Sequence, residues 1–254
     1  MKVLFIMMFF VTLSFSNMLK SPIISVDLTK NTATIKVDAV DVGISGFIVH
    51  KLSDENSVIL KNTTVISYDK DTKIATLQLS DYTDLDYTNL PHGKWKVSIG
   101  DVAELAFAYS RGILIAPNEE IYYSITRAIP TIQWIHPDIF ATMLSLNGHP
   151  TPLKSDFDDM IKSTSIGLVF IYLDKKVFTL DAKSFKILKI SNAPVVQHST
   201  ILPFYMRLKE IDASWWGEGS SKLKAYTPYY YMLLKKYNPK NQELLEILKT
   251  KKLK

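Results

Sequence analysis

Gly112-Ile-Leu-Ile-Ala116 followed by Pro117-Asn118, and Thr131-Ile-Gln-Trp-Ile135 followed by His136-Pro137-Asp138, are the stretches that decide the fold. Each is a short apolar run that ends at a proline and hands over to a helical segment, and the two prolines stand twenty residues apart. Proline has no N–H to give to a ladder, so it cannot continue a central strand. The Asn118 or Asp138 after it can cap a helix by accepting a backbone N–H bond. The order strand, helix, strand, helix implies parallel pairing.

Downstream of this pair, Asn147-Gly148 stops the second helix, and Ser155-Asp-Phe-Asp158 has the spacing of a cap followed by an acidic third residue, so a short third helix is expected. Ile166 to Leu173 is continuously apolar, as in a strand covered on both faces. Val177 to Leu180 and Phe185 to Ile190 alternate around a turn at Asp181 to Ser184. The expected result is a mixed sheet with a hairpin on one edge, one of its faces covered by the preceding domain or by the tail.

Upstream, from Ser21 to Phe107, the period is near two: Ala33, Ile35 and Val37 alternate with Thr34 and Lys36, and Ala75, Leu77 and Leu79 with Thr76 and Gln78. Turn chemistry falls at Lys30-Asn31, Asp69-Lys-Asp71 and Gly100-Asp101, while Gly43 and Gly46 mark a bulge or tight bend before His50. Six or so short strands in this span make a small antiparallel barrel, with Asp81 to Trp95 as a long loop. The fold class is therefore mixed α+β: residues 17–108 a small antiparallel β-barrel, 109–194 an α/β domain with a mixed sheet, and 195–254 an aromatic-rich, helical C-terminal tail.

Composition sets the outer limits. With 254 residues, 47% of them hydrophobic, the chain can bury a sizeable core, and with no cysteine it has no disulfide, thiol nucleophile or thiolate metal site. Met1-Lys2, the apolar run Val3 to Leu13 and Ser14-Phe15-Ser16 read as a signal peptide over residues 1–16, cleaved between Ser16 and Asn17. This eleven-residue stretch, apolar except for Thr12, falls short of the roughly 20 that span a bilayer. The expected location is the cell surface or periplasm. Residues 235–254 hold seven lysines against Glu243 and Glu246, a net +5, which leaves residues 17–234 at −1. One terminal basic patch without a nucleic-acid fold signature does not point to nucleic acid.

In open parallel sheets, ligands sit beyond the carboxyl ends of the strands. Asn118, Glu119, His136, Asp138 and Asp174 would gather there, and such a set could perform acid–base hydrolysis or bind a divalent ion. The plainer account makes Asn118 and Asp138 helix caps and Glu119 a first-turn acid that suits the helix dipole. There is no glycine-rich phosphate loop, metalloprotease helix or nucleophile-elbow serine, so neither a catalytic residue, a metal nor a cofactor is expected.

Ser110-Arg111, Ile115-Ala-Pro-Asn-Glu-Glu-Ile-Tyr122, His136-Pro-Asp138, Gly167-Leu-Val-Phe-Ile171, Ser184-Phe185-Lys186 and Leu202-Pro-Phe-Tyr205 together resemble the N-terminal domain of the plasminogen-binding surface proteins of epsilon-class proteobacteria, over about residues 20 to 207. What the resemblance implies is a non-enzymatic envelope protein that captures host plasminogen through its kringle lysine-binding sites, with a terminal lysine as ligand. Family members often continue into a long charged extension; this sequence ends at Lys254.

Asn238-Pro239 begins, and Leu244, Leu245, Ile247 and Leu248 stripe, an amphipathic helix from Pro239 to about Lys249. Beyond it, Lys254 joins an ammonium to the free α-carboxylate, the zwitterion a kringle pocket would accept, while Lys251 and Lys252 add charge. The alternative is a periplasmic structural or membrane-associated module whose basic helix docks anionic lipid or an envelope protein. Trp215-Trp216-Gly-Glu-Gly219 and the four tyrosines between Tyr226 and Tyr231 are expected to fasten the tail across the open face of the sheet; gripping a glycan or a peptide is the alternative for the tryptophans.

Overall fold

The structure, a computed structural model, describes residues 18–82 and 95–251. The signal-peptide expectation, the tip of the Asp81–Trp95 loop, Lys252 and Lys254 lie outside the described residues.

Six strands close an antiparallel barrel: β1 (Leu19–Asp27), β2 (Thr32–Lys36), β3 (Ser45–Lys51), β4 (Ser57–Asp69), β5 (Ile74–Asp81) and β6 (Val102–Leu105), in the order β1-β2-β5-β4-β3-β6. The alternation works as the period predicts: Ala33, Ile35, Ala75 and Leu77 are buried inside while Lys36 and Gln78 face out. Closure brings β3 against β6 so tightly that a Cβ on Gly46 would stand 2.1 Å from the Glu104 carbonyl oxygen. Gly43 makes the bend before β3 at φ +103°.

The second sheet has the order β11-β10-β9-β7-β8, built from β7 (Arg111–Ile115), β8 (Gln133–Ile135), β9 (Leu168–Leu173), β10 (Lys176–Asp181) and β11 (Ile187–Asn192). β7 pairs in parallel with β8 and β9, whereas β9, β10 and β11 form antiparallel pairs, which is the mixed sheet with an edge hairpin. Helices α1 (Glu119–Ala128), α2 (Pro137–Asn147) and α3 (Lys154–Thr164) link β7, β8 and β9, and α4 (Tyr226–Tyr237) and α5 (Gln242–Thr250) follow the sheet. None of the described helices is long and apolar enough to cross a membrane.

Each face of the sheet closes a different core. Leu114, Leu168, Phe170 and Tyr172 pack with Ile121 and Ile125 of α1 and with the barrel interior, so barrel and sheet share one apolar cluster. Ile113, Ile115, Val169, Ile171, Leu173 and Phe178 pack with α2, α3, α4 and α5 in the second. The uninterrupted apolar run of β9 follows, because both of its faces are covered.

Several helix starts differ from the sequence reading. α2 begins at Pro137, so its cap is His136 and not Asp138: the His136 Nδ1 accepts from the Asp138 N–H at 3.2 Å. Proline fits the first helical position because its missing N–H would have had no partner there. α3 is capped at Leu153, and Asp156 in its first turn accepts from the Leu153 N–H at 2.7 Å, so Ser155 lies inside the helix. The tail contains α4, which the sequence reading left unassigned, and α5 starts after Asn241, whose Oδ1 accepts from the Leu244 N–H at 2.9 Å. Asn238 instead closes α4 and ties it to the edge hairpin: its Nδ2 donates to the Phe185 carbonyl at 3.1 Å, and its Oδ1 accepts from the Ile187 N–H at 2.9 Å.

Candidate functional site

The carboxyl ends of β7 and β8 do bring Asn118, Glu119, His136 and Asp138 to one edge. Asn118 caps α1, its Oδ1 accepting from the Ile121 N–H at 2.9 Å, as its place after Pro117 predicts. The crevice itself is filled by the chain. After β11 a strap crosses the strand ends: the Ile201 N–H donates to Pro117 O and the Tyr205 N–H to Ala116 O, both at 2.7 Å, and Asn118 Nδ2 donates to Ser199 O at 3.0 Å.

The strap also occupies the acids. Asp138 accepts from the Arg207 N–H at 2.8 Å and from its Nε at 2.6 Å, and Glu119 accepts from the Tyr205 hydroxyl at 3.3 Å. Burial pushes the Asp138 carboxyl up, but the two Arg207 bonds, the nearby imidazole and the guanidinium charge outweigh it and hold it below its ordinary value. The His136 ring packs against Tyr122 and Tyr205, with centroids 5.4 and 6.1 Å away, and burial lowers its pKa. Burial also pushes the Tyr122 hydroxyl up to about 12. With Nδ1 engaged in the cap and Nε2 buried, the imidazole has no free edge for a substrate proton. The described residues contain no group of three or more His, Asp and Glu able to hold a metal.

Asp174 stands apart from this group. It follows β9 in a turn with φ near +49°, and its carboxylate pairs with Lys251 Nζ at 2.7 Å; that ammonium also lies 5.8 Å from the centre of the Tyr231 ring. Burial first, and then the Asp174 carboxylate, push the Tyr231 hydroxyl above its ordinary range. Lys251 thus roots the end of α5 on the sheet. The apolar face of the helix is equally engaged, since Leu244 and Leu248 are buried in the second core while Gln242, Glu243, Glu246, Lys249 and Thr250 face water.

The residue that sequence reasoning missed is Asp181, fully buried where barrel meets sheet. One carboxylate oxygen accepts from Ser45 N–H at 2.8 Å, Ser45 Oγ at 2.7 Å and Tyr109 Oη at 2.6 Å, and the other from Ser184 N–H at 2.7 Å. Ser184 Oγ in turn donates to Gly43 O at 2.6 Å. Four donors satisfy a charge that could not otherwise be buried. The available signal was the turn at Asp181 to Ser184, which is legible in the sequence, whereas the reach of Asp181 to Ser45, 136 residues away, is not.

The tail aromatics divide into two kinds. Tyr226, Tyr230 and Tyr231 are buried and fasten α4 across the sheet, Tyr226 Oη donating to Ile115 O at 3.0 Å and Tyr172 O at 2.9 Å. Trp215 and Trp216 fasten nothing: they are 98% and 85% exposed.

Fold and site together define an α+β protein in which a closed barrel and a mixed sheet share a core, their strand-end crevice sealed by a strap, and a basic tail is carried on the far face. The chain belongs to the family described as plasminogen-binding protein pgbA N-terminal, whose model matches residues 18–234. Two curated relatives, each named plasminogen-binding protein PgbA, come from Helicobacter pylori strains J99 and 26695; both are 30% identical over 216 residues, 83% of this chain and 46% of the relative. The chain spans about half the length of these relatives. No solved structure matches it significantly.

Proposed function

We propose that this protein is an exported, non-enzymatic envelope protein that binds host plasminogen, and that the ligand is the C-terminal lysine. The observation that carries the reading is the family match across both the barrel and the sheet, to relatives named for that binding. The arrangement of the described residues is consistent with a display platform. The strand-end carboxylates are held by Arg207 and Tyr205, and α5 is rooted by Leu244, Leu248 and the Lys251–Asp174 pair, so it ends at a defined place just before Lys252 and Lys254. In this reading Lys254 supplies the ammonium and carboxylate together, Lys252 adds charge, and Lys251 anchors.

An exposed ion pair contributes only about 0–1 kcal/mol, so measurable affinity requires an aromatic-lined, poorly hydrated trough on the kringle, or several lysines meeting several sites. The test is plasminogen binding by the chain from Asn17 to Lys254 with a free lysine analogue as competitor. Displacement by the analogue at constant ionic strength is expected. Binding that yields to salt but ignores the analogue contradicts the lysine-site reading and favours docking of the basic tail on an acidic partner.

A further inference from the structure

The three most exposed large apolar side chains among the described residues, Trp215 at 98%, Trp216 at 85% and Leu146 at 83%, belong to one place in the fold. The loop that carries the indoles is stitched to the end of α2 on one side. Ser145 Oγ and Asp212 exchange bonds of 2.9 and 3.0 Å, and Ser214 N–H donates to Gly148 O at 2.9 Å, two residues beyond Leu146. On the other side Thr151 N–H donates to Gly219 O at 3.1 Å and Thr151 Oγ1 to Ser221 O at 2.7 Å. Gly217 and Gly219, at φ +112° and +88°, let the chain reverse between these anchors. A held base thus presents two adjacent indoles that bury almost nothing against the protein.

Such exposure separates the candidate occupants. An indole that stacks a sugar is ordinarily held with its other face packed on the protein; these rings have both faces in water. They suit a medium that surrounds them, and indoles concentrate where bilayer meets water because the ring is apolar and its N–H is not. Charge points to the same medium. Residues 207–254 hold eleven Lys and Arg against five Asp and Glu, a net +6, and the rest of the chain is −1. Lys209 and Lys224 flank the tip and are exposed, Lys222 beside them pairs with Glu210 at 3.1 Å, and Glu218 and Gly219 share a groove of about 860 Å³ with Lys235, Lys236 and the Lys154–Asp158 pair. α5 itself offers one lysine, Lys249, against Glu243 and Glu246, and no free apolar face, since Leu244 and Leu248 are buried.

We propose that the Trp215–Trp216 tip is an interfacial anchor for an anionic phospholipid surface, the indoles lodging at the level of the headgroups and the neighbouring lysines meeting the phosphates. The tip supplies no lysine, so its loss leaves any lysine-analogue-sensitive binding of plasminogen unchanged.

The test takes the chain without residues 1–16, whose apolar run would itself enter lipid, and vesicles of phosphatidylethanolamine with phosphatidylglycerol, or of phosphatidylcholine alone. The expected result is co-sedimentation with the anionic vesicles, a blue shift of tryptophan emission, and quenching by brominated acyl chains. The W215S/W216S variant should bind about tenfold more weakly or worse, with an unchanged melting temperature because neither ring packs on the fold, and the intact chain should bind phosphatidylcholine comparably weakly. The proposal is overturned if the variant binds anionic vesicles as well as the intact chain does, if the intact chain does not bind them, or if a soluble polysaccharide shifts the emission while vesicles do not.

Discussion

His136 and Asp138 stand two residues apart and have exchanged the roles their chemistry suggests. The aspartate, the better cap by type, is held by Arg207, and the histidine caps in its place because Pro137 starts the helix. The histidine's lowered pKa has a stability consequence of definite sign. Above its ordinary value of 6.5 the ring is neutral in both folded and unfolded chains; as pH falls below that value the unfolded chain takes up the proton first, and stability declines until the folded pKa is passed. Asn is a good cap and does not titrate. His136→Asn should therefore keep the fold and remove this part of the acid-side decline, read as urea midpoints between pH 7 and 5; an unaltered slope would refute it. Asp181→Asn puts an amide donor among four donors, and should cost about 2–4 kcal/mol in denaturant unfolding at neutral pH. A loss under about 0.5 kcal/mol, the scale of an ordinary surface change, would mean that the carboxylate is not holding the joint. Neither role was legible in full: local spacing showed a cap at each proline, but the partners of Asp138 and Asp181 come from 69 and 136 residues away.

At the scale of elements, periodicity was the reliable signal. The half-buried strands β2 and β5 and the doubly covered β9 follow directly from alternation and its absence. Helix α4 was hidden because tyrosine favours strands and Pro228 falls within it. Yet Tyr226, Tyr230, Leu233 and Leu234 keep helical spacing, and the proline lies in the first turn, where it is tolerated. The tail tryptophans show the limit of reasoning by residue type, since large rings are usually buried and the tyrosines beside them are. For α5, Leu244→Ala in the second core should destabilise by about 2–4 kcal/mol, whereas Leu245→Ala, half-buried, should cost about 1 kcal/mol or less. Equal effects at the two positions would show that the helix is not seated on Leu244 and Leu248.

For the whole molecule, the shared cluster that runs from Ile35 and Leu77 in the barrel to Leu168 and Phe170 in the sheet makes independent unfolding of the two halves costly. Amide exchange at β3 and β10 should report one common opening free energy, and Asp181→Asn should lower both together. Markedly different values would show two uncoupled bodies. This unit carries an uneven charge, with the basic excess confined to the tail, and the family match extends through most of it to residue 234. In the function proposed above, the unit displays a terminal lysine to plasminogen. The most direct measurement is an equilibrium titration of plasminogen with the chain ending at Lys254 and with the same chain lacking only that residue. Removing Lys254 should weaken binding at least about tenfold, as loss of the one group that presents ammonium and carboxylate together should. Equal affinity of the two chains would contradict it and place the plasminogen contact elsewhere on the molecule.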